Sequence, residues 1–161
     1  MPKELRTEKK YRQGSGALHL MTSVGNSPDA HGEKTLRNLL RSGWWAFGRR
    51  AHGVKYLRAG DRICFYIARV GVVAEATVTG RPEERRVKGG YDSVSYPLAT
   101  RVAEVRYFFD RPIIIDKDLR SWLDAFAGKD VEASGAWFVQ STRLLTEHDF
   151  ALLVGRPGKK R

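Results

Sequence analysis

The sequence predicts an α+β fold, in which a small, mostly antiparallel barrel is flanked by helices. The chain has 161 residues, which suits one domain with a substantial core. Two apolar runs, 62–68 and 71–80, are joined by a short link, as in an antiparallel hairpin. Few strands are separated by long helices, which argues against a doubly wound parallel sheet.

Polar, basic ends enclose this domain, which we place at residues 17–155. Residues 1–16 end in Gly-Ser-Gly and are expected to form a flexible basic arm, and residues 156–161 a basic tail. The N-terminal segment lacks the apolar stretch of a signal peptide. No apolar run reaches the ~20 residues that span a bilayer. We therefore expect a cytoplasmic protein without a membrane segment.

The first half of the domain contains clear element signals. Residues 17–23 form a short apolar strand, followed by a turn rich in Asn, Pro, Gly and Asp. Residues 31–43 predict an amphipathic helix that ends at Gly43. Its apolar face carries Leu36, Leu39 and Leu40. The hairpin over 62–80 comes next, after a Gly-Asp turn.

The second half begins with a polar loop over 81–95. Residues 98–109 then predict a long strand, and 111–116 a further apolar strand. Residues 118–128 predict a helix whose apolar stripe places Trp122 in the core. A last helix starts at Thr146, a good N-cap with Asp149 three residues on.

Charge is the strongest bulk signal. The formal net charge is +11 and the sequence pI is about 10.1, which favours a polyanionic partner such as nucleic acid. Cys64 is the only cysteine, so the chain can form neither an internal disulfide nor a cysteine zinc site. It lies in an apolar strand and is interpreted as a buried hydrophobe.

The motifs of enzymes are missing from the sequence. It contains no nucleophile elbow, no phosphate-binding Gly-rich loop and no HExxH. The histidines lack the pairwise spacing of a metal site, and the carboxylates form no clear catalytic pair. We predict no catalytic residue, no cofactor and no metal. For an enzyme, the plausible titratable groups beside the aromatic residues would be His52, Asp92 and Glu75.

Aromatic residues beside basic ones are the remaining signal. Trp44 and Trp45 are adjacent, so in extended backbone they face opposite sides, one toward the core and one toward a cleft. We expect Trp45 to be partly exposed and to stack on a base, which is worth ~1–3 kcal/mol. Tyr91, after two glycines, is suited to a mobile lid.

The segment over 45–68, WAFGRRAHGVKYLRAGDRICFYIA, resembles the EVE-domain family of the PUA-like group, which includes the YTH readers. The resemblance continues over residues 17–155, with a closing aromatic strand and a capped helix at 137–153. Its motifs, in chain order, are Thr22-Ser23, Trp45-Ala46-Phe47, a basic loop over 49–58, Gly60-Asp61, Phe65-Tyr66, Gly71-Val72-Val73 and Tyr96-Pro97.

This resemblance implies a PUA-like pseudo-barrel that holds a flipped, modified base, such as methylated cytosine in DNA, in an aromatic pocket. Unstacking a base costs a few kcal/mol, which stacking and phosphate contacts must offset. The expected pocket residues are Thr22, Ser23, Trp44, Trp45, Phe47, Tyr66, Tyr91 and Trp137. The expected phosphate-binding residues are Arg49, Arg50, His52, Lys55, Arg58, Arg85, Arg86 and Lys88.

The implied partner is nucleic acid, DNA being favoured over RNA. Some relatives are fused to nuclease domains, so a separate nuclease or modification-system subunit is a further implied partner. Two alternatives stay open. One is an RNA-binding PUA-like module without modification specificity, and the other is a nuclease-like enzyme acting in the same cleft.

Overall fold

The computed structural model describes residues 2–25, 31–48, 50–87 and 96–156. Within those ranges, no helix is long and apolar enough to cross a membrane. The strands are β1 (His19–Val24), β2 (Trp44–Phe47), β3 (Arg62–Ile67), β4 (Gly71–Val78), β5 (Glu83–Glu84), β6 (Leu98–Tyr107) and β7 (Arg143–Leu145). The α-helices are α1 (Lys3–Tyr11), α2 (Gly32–Ser42), α3 (Lys117–Arg120), α4 (Ala136–Val139) and α5 (Glu147–Leu153), and short 3₁₀ turns cover Val54–Tyr56 and Asp124–Phe126.

In the described part of the chain, all seven strands belong to one curled sheet, which forms a half-barrel. The strand order is β2-β6-β4-β3-β1-β7, and β5 pairs with β6. Only β1 and β3 run parallel, while the other five pairings are antiparallel. The predicted α+β class, a mostly antiparallel pseudo-barrel with flanking helices, is confirmed.

The sheet separates two hydrophobic cores. Successive residues of a strand face opposite sides, and β3 shows this directly. Phe65 lies in the first core, with the leucines of α2, whereas Cys64 lies in the second core, with Phe150 of α5. The first core therefore fills the barrel interior, and the second seals its outer face.

Several elements follow the sequence prediction closely. The hairpin β3–β4, the long strand β6 and helix α2 lie where the patterns placed them. Helix α2 ends at Gly43, whose φ of 83° is the left-handed conformation that glycine adopts readily. At α5, the Thr146 hydroxyl accepts a hydrogen bond from the backbone N–H of Asp149, as a helix N-cap does.

The region after β6 differs from the prediction. The strand expected over 111–116 is reduced to a single bridge between Ile113 and Val72. The helix expected over 118–128 divides into α3 and a 3₁₀ turn, because Leu123 adopts extended backbone. This break lets both Leu123 and Phe126 enter the second core, whereas Trp122 is only half-buried. The assignment of Trp122 to the core is therefore corrected.

The expectation that residues 1–16 form a flexible arm is also corrected. Residues 3–11 form helix α1, and Arg12 anchors this helix to Asp61. Two nitrogens of the Arg12 guanidinium donate to the two carboxylate oxygens of Asp61, at 2.7 and 3.0 Å. These hydrogen bonds raise the pKa of Arg12. Asp61 is buried and also accepts from the backbone N–H groups of Leu18 and Arg58. The Gly-Asp turn thus holds the start of the chain against the domain.

The C-terminal end is held by Glu75 in β4. This carboxylate is 1% exposed and is bonded by Arg62, Arg106 and Arg156. Arg106 also donates to the carbonyl of Val154 at 2.6 Å. Arg156, the first residue of the expected basic tail, is therefore fixed to the sheet. Residues 157–161 lie outside the described ranges.

Candidate nucleic-acid interface

A cavity of about 340 Å³ opens beside β2, and we call it the β2 cavity. It lies between the end of β1, strand β2 and the loop that leads into β7. Three of its walls come from segments far apart in the chain. The lining residues are Thr22, Ser23, Gly25, Trp45, Ala46, Phe47, Gly48, Arg50, Ala51, Tyr96, Gln140, Ser141 and Thr142.

Hydroxyl groups fix one wall of the β2 cavity. The Thr22 and Thr142 hydroxyls lie 2.9 Å apart and share a hydrogen bond. The Ser23 hydroxyl donates to the carbonyl of Val139 at 2.5 Å. These bonds tie the 139–142 segment to the end of β1, and they leave the Ser23 oxygen able to accept from a ligand.

Aromatic residues of β2 form the opposite wall. Trp45 and Phe47 alternate along the strand and point to the same side, and they are 1% and 2% exposed. The Trp45 ring meets Phe65 edge-on, with ring centroids 4.6 Å apart. The expectation that Trp45 is partly exposed is therefore wrong. It belongs to the first core and also lines the cavity.

Trp44 faces the other side of β2, as adjacent strand residues must. The guanidinium carbons of Arg85 and Arg101 lie 4.1 and 4.7 Å from its ring centroid. Arg101 is its cross-strand partner in β6. Both guanidinium groups therefore lie within cation–π distance of Trp44, which does not line the β2 cavity, and its placement in the pocket is corrected.

Two further predicted pocket residues lie elsewhere. Tyr66 packs against the second core, on the opposite face of the sheet from Trp45. Trp137 is 37% exposed, and its ring stacks near Phe126 and the guanidinium of Arg143. The expectation that both share a pocket with Trp45 is corrected. Tyr91 lies outside the described residues.

The predicted phosphate-binding residues fall into two groups. Arg50 lines the β2 cavity and also a second cavity of about 450 Å³, which we call the α1 cavity. His52 and Lys55 line the α1 cavity beside residues of helix α1. The Lys55 ammonium lies 2.6 Å from the carboxylate of Glu4, in an exposed ion pair of small energetic value.

The other predicted cations are more dispersed. Arg58 and Arg86 are exposed, and Arg85 stacks on Trp44. Arg49 and Lys88 lie outside the described residues. The cluster that borders the β2 cavity is therefore the Arg50 end of the basic loop. Gly53 sets the loop's close approach to the core, since a Cβ there would lie 2.6 Å from the Leu144 side chain.

Among the lining residues that the sequence analysis did not predict, four carry polar side chains: Tyr96, Gln140, Ser141 and Thr142. Tyr96 was noted for the family pattern but not for the pocket. Gln140 to Thr142 follow α4 and reach the cavity because β7 pairs with β1. Nothing local in a short polar stretch marks such a role, since only the pairing brings it to Thr22.

Three side chains of metal-ligand type also meet, although the sequence spacing did not connect them. Asp124, His148 and Asp149 each place a ligand atom within 4.8 Å of the others. Both carboxylate oxygens of Asp149 already accept backbone N–H groups, from Asp124 and Ala125. Burial raises the pKa of Asp149. The arrangement holds the 3₁₀ turn on the start of α5.

The fold is similar to that of solved domains that include the Mmi1 YTH domain and human THYN1. The chain is similar to the Mmi1 YTH domain solved with RNA, with a TM-score of 0.55 and 11% identity over 86% of this chain and 79% of that one. It is similar to human THYN1 solved with 5-methylcytosine-containing DNA, with a TM-score of 0.50 and 12% identity over 86% and 96%. A Pseudomonas putida protein gives a TM-score of 0.51 and 18% identity over 84% and 97%.

No protein-family model and no curated protein sequence matches the chain. The likeness is thus one of fold, shared with domains whose solved structures include RNA and DNA complexes.

Proposed function

We propose that this protein is an EVE-like reader that holds a flipped, modified base, such as methylated cytosine in DNA, in the β2 cavity. One observation carries the proposal. The β2 cavity combines an aromatic wall of Trp45 and Phe47, a hydroxyl wall of Thr22 and Ser23, and Arg50 at its border with the α1 cavity. A flat group on a phosphate backbone needs these three features together.

The chemistry of the two walls suits a base. The volume of about 340 Å³ is at the small end for a ligand site, as expected for one base without its backbone. The Ser23 oxygen can accept from an exocyclic amino group. A buried methyl group adds only ~0.8 kcal/mol, so selectivity for a modified base depends on close contact with the aromatic wall.

The fold neighbours support a nucleic-acid ligand, since one is solved with RNA and one with 5-methylcytosine-containing DNA. We favour DNA because the motifs over 45–68 resemble the EVE domains. A separate nuclease or modification-system subunit remains part of this proposal, and pull-down from cells with a tagged chain tests it.

Binding without cleavage is the second part of the proposal. Among the described residues that line the β2 cavity, none carries a carboxylate or an imidazole. His52 lines the α1 cavity instead. Purified protein incubated with modified and unmodified DNA and RNA, with Mg²⁺, Mn²⁺ or Zn²⁺, should leave them intact. Specific products that disappear in His52→Ala would overturn this.

The direct test is a panel of matched oligonucleotides, DNA and RNA, with and without modified cytosine or adenine, measured by fluorescence anisotropy. We expect tightest binding to DNA with a modified cytosine. Ser23→Ala should reduce the preference for the modified base, whereas Trp137→Ala, outside the cavity, should retain it. Equal affinity for modified and unmodified strands would reject the proposal.

A further inference from the structure

A third cavity lies on the outer side of helix α2, and we call it the α2 cavity. Its volume is about 520 Å³, within the ~300–1,000 Å³ typical of ligand sites. Its floor is apolar and is formed by Ile67, Val70 and Phe109. Its rim is the outer face of α2, which carries Lys34, Arg37, Asn38 and Arg41.

The rim is strongly positive for a physical reason. Residues three, four and seven positions apart share one helix face, so the cations of α2 form one row. The inner face of the same helix is fully used by the first core. Among the described lining residues, Glu33 is the one acid, and it pairs with Arg37. Within the described lining, Lys34 and Arg41 therefore leave two positive charges without an acidic partner.

An aromatic platform lies beneath this row. Tyr107 and Phe109 are stacked, with ring centroids 5.5 Å apart and planes at 20°. The guanidinium carbon of Arg37 lies 4.3 Å from the Phe109 centroid and 5.1 Å from that of Tyr107. Tyr107 is exposed. Cations over flat rings form the combination that binds a base and its phosphate in single strands.

The α2 cavity borders the same end of β1 as the β2 cavity. Gly25, just after β1, lines the β2 cavity. Val24, the last residue of β1, pairs with Ile67, which lines the α2 cavity. Both cavities therefore border the end of β1, so that a strand with one base in the β2 cavity can reach the cationic row of α2.

We propose that the α2 cavity binds another nucleotide of the same strand, beyond the immediate neighbours of the modified base, with its phosphates on Lys34 and Arg41 and its base on the Arg37–Phe109–Tyr107 stack. This inference rests on the proposed function, because that function names nucleic acid as the ligand. It adds a second binding site, which sets affinity for long strands rather than selectivity for the modified base.

The test compares a trinucleotide that carries the modified base with a strand of roughly twelve nucleotides, near the site sizes of single-strand binders. Lys34→Ala/Arg41→Ala should weaken binding of the long strand on the order of tenfold and flatten its salt dependence. It should leave the trinucleotide affinity unchanged. The control is Lys117→Ala/Lys129→Ala, which removes the same charge from two exposed residues beyond α2 and should change neither affinity appreciably.

Phe109→Leu keeps an apolar floor but removes the stacking face, so it should weaken the long strand alone, by about fivefold or more. Circular dichroism of each variant verifies folding. An unchanged long-strand affinity, or equal losses for both oligonucleotides, would overturn the second site. Binding of a Glu-rich peptide that requires Lys34 and Arg41, together with strand binding that does not require them, would overturn it too, in favour of a protein partner.

The two proposals fail differently. If the wild type shows no preference for a modified base, the reader function is rejected. The double variant would still weaken an unmodified long strand if the α2 cavity binds nucleic acid.

Discussion

The β2 cavity and the α2 cavity border the same end of β1, but different kinds of side chain line them. The β2 cavity uses core side chains such as Trp45 and Phe47, which are almost fully buried. The α2 cavity uses exposed cations over a half-buried ring. At the β2 cavity, selectivity for a base and stability of the fold therefore depend on the same side chains. At the α2 cavity, by contrast, the charge and the affinity for nucleic acid can change with little effect on folding.

The largest expected effect is on stability at the aromatic wall. Trp45→Ala should lower the free energy of unfolding by about 3–5 kcal/mol, because it leaves a void in the first core. Phe109→Ala, at the half-buried floor of the α2 cavity, should cost about 1–2 kcal/mol. Urea unfolding of both variants measures the difference. If Trp45→Ala lost less free energy of unfolding than Phe109→Ala, the wall of the β2 cavity would not be the more important of the two for stability.

The next effect concerns salt. If Arg50 contacts one phosphate of duplex DNA, Arg50→Ala should reduce the slope of log affinity against log salt by about 0.9. Titrations between about 50 and 200 mM salt give this slope. Lys129→Ala, an exposed residue away from both cavities, is the matched control. Equal slopes for the wild type and Arg50→Ala would exclude Arg50 from the phosphate path.

A smaller effect is expected at the hydroxyl wall. Thr22→Val keeps the side-chain shape but removes the hydrogen bond to Thr142, which is worth about 0.5–1.5 kcal/mol. The 139–142 segment should loosen, so preference for the modified base should fall more than total affinity. Thr77→Val, at an exposed hydroxyl of β4, is the control. Unchanged selectivity in Thr22→Val would mean that the wall does not position the base.

The smallest effect is a pH dependence of folding stability that comes from His19, a residue that lines neither cavity. Burial lowers the pKa of His19 from 6.5, and nearby Arg62 adds to this while Glu147 opposes it. Because the folded-state pKa is the lower one, the unfolded chain takes up a proton first as the pH falls through 6.5. The stability due to neutral His19 is thus full above pH 6.5 and declines below it.

Urea unfolding at a series of pH values measures this decline. His19→Gln should give a flatter profile between neutral and mildly acidic pH. A variant that declines as steeply as the wild type would assign the effect to other groups.

Local signals explain which parts of the fold were predictable. Helix α2 was marked by three leucines and by Gly43, and α5 by its Thr146 cap. The hairpin was marked by two apolar runs. Helix α1 was not predicted because its position depends on the contact between Arg12 and Asp61, 49 positions apart.

The candidate site was predictable only where its residues belong to short local motifs. Thr22, Ser23, Trp45 and Phe47 follow the family pattern and do meet. Trp44 and Tyr66 were also expected in the pocket, but they fall on the other side of their strands. The α2 cavity was missed because it joins a helix face to Phe109, a residue that lies beyond β6.

The buried thiol of Cys64 can report how often the sheet opens. The thiol has no exposed surface, and burial raises its pKa, so it reacts with alkylating reagents only when the sheet opens. Since it is the sole cysteine, the unmodified chain carries one probe of the rate of that opening. A bound strand that bridges the two cavities at β1, the neighbour of β3, would slow the alkylation of Cys64 without touching it.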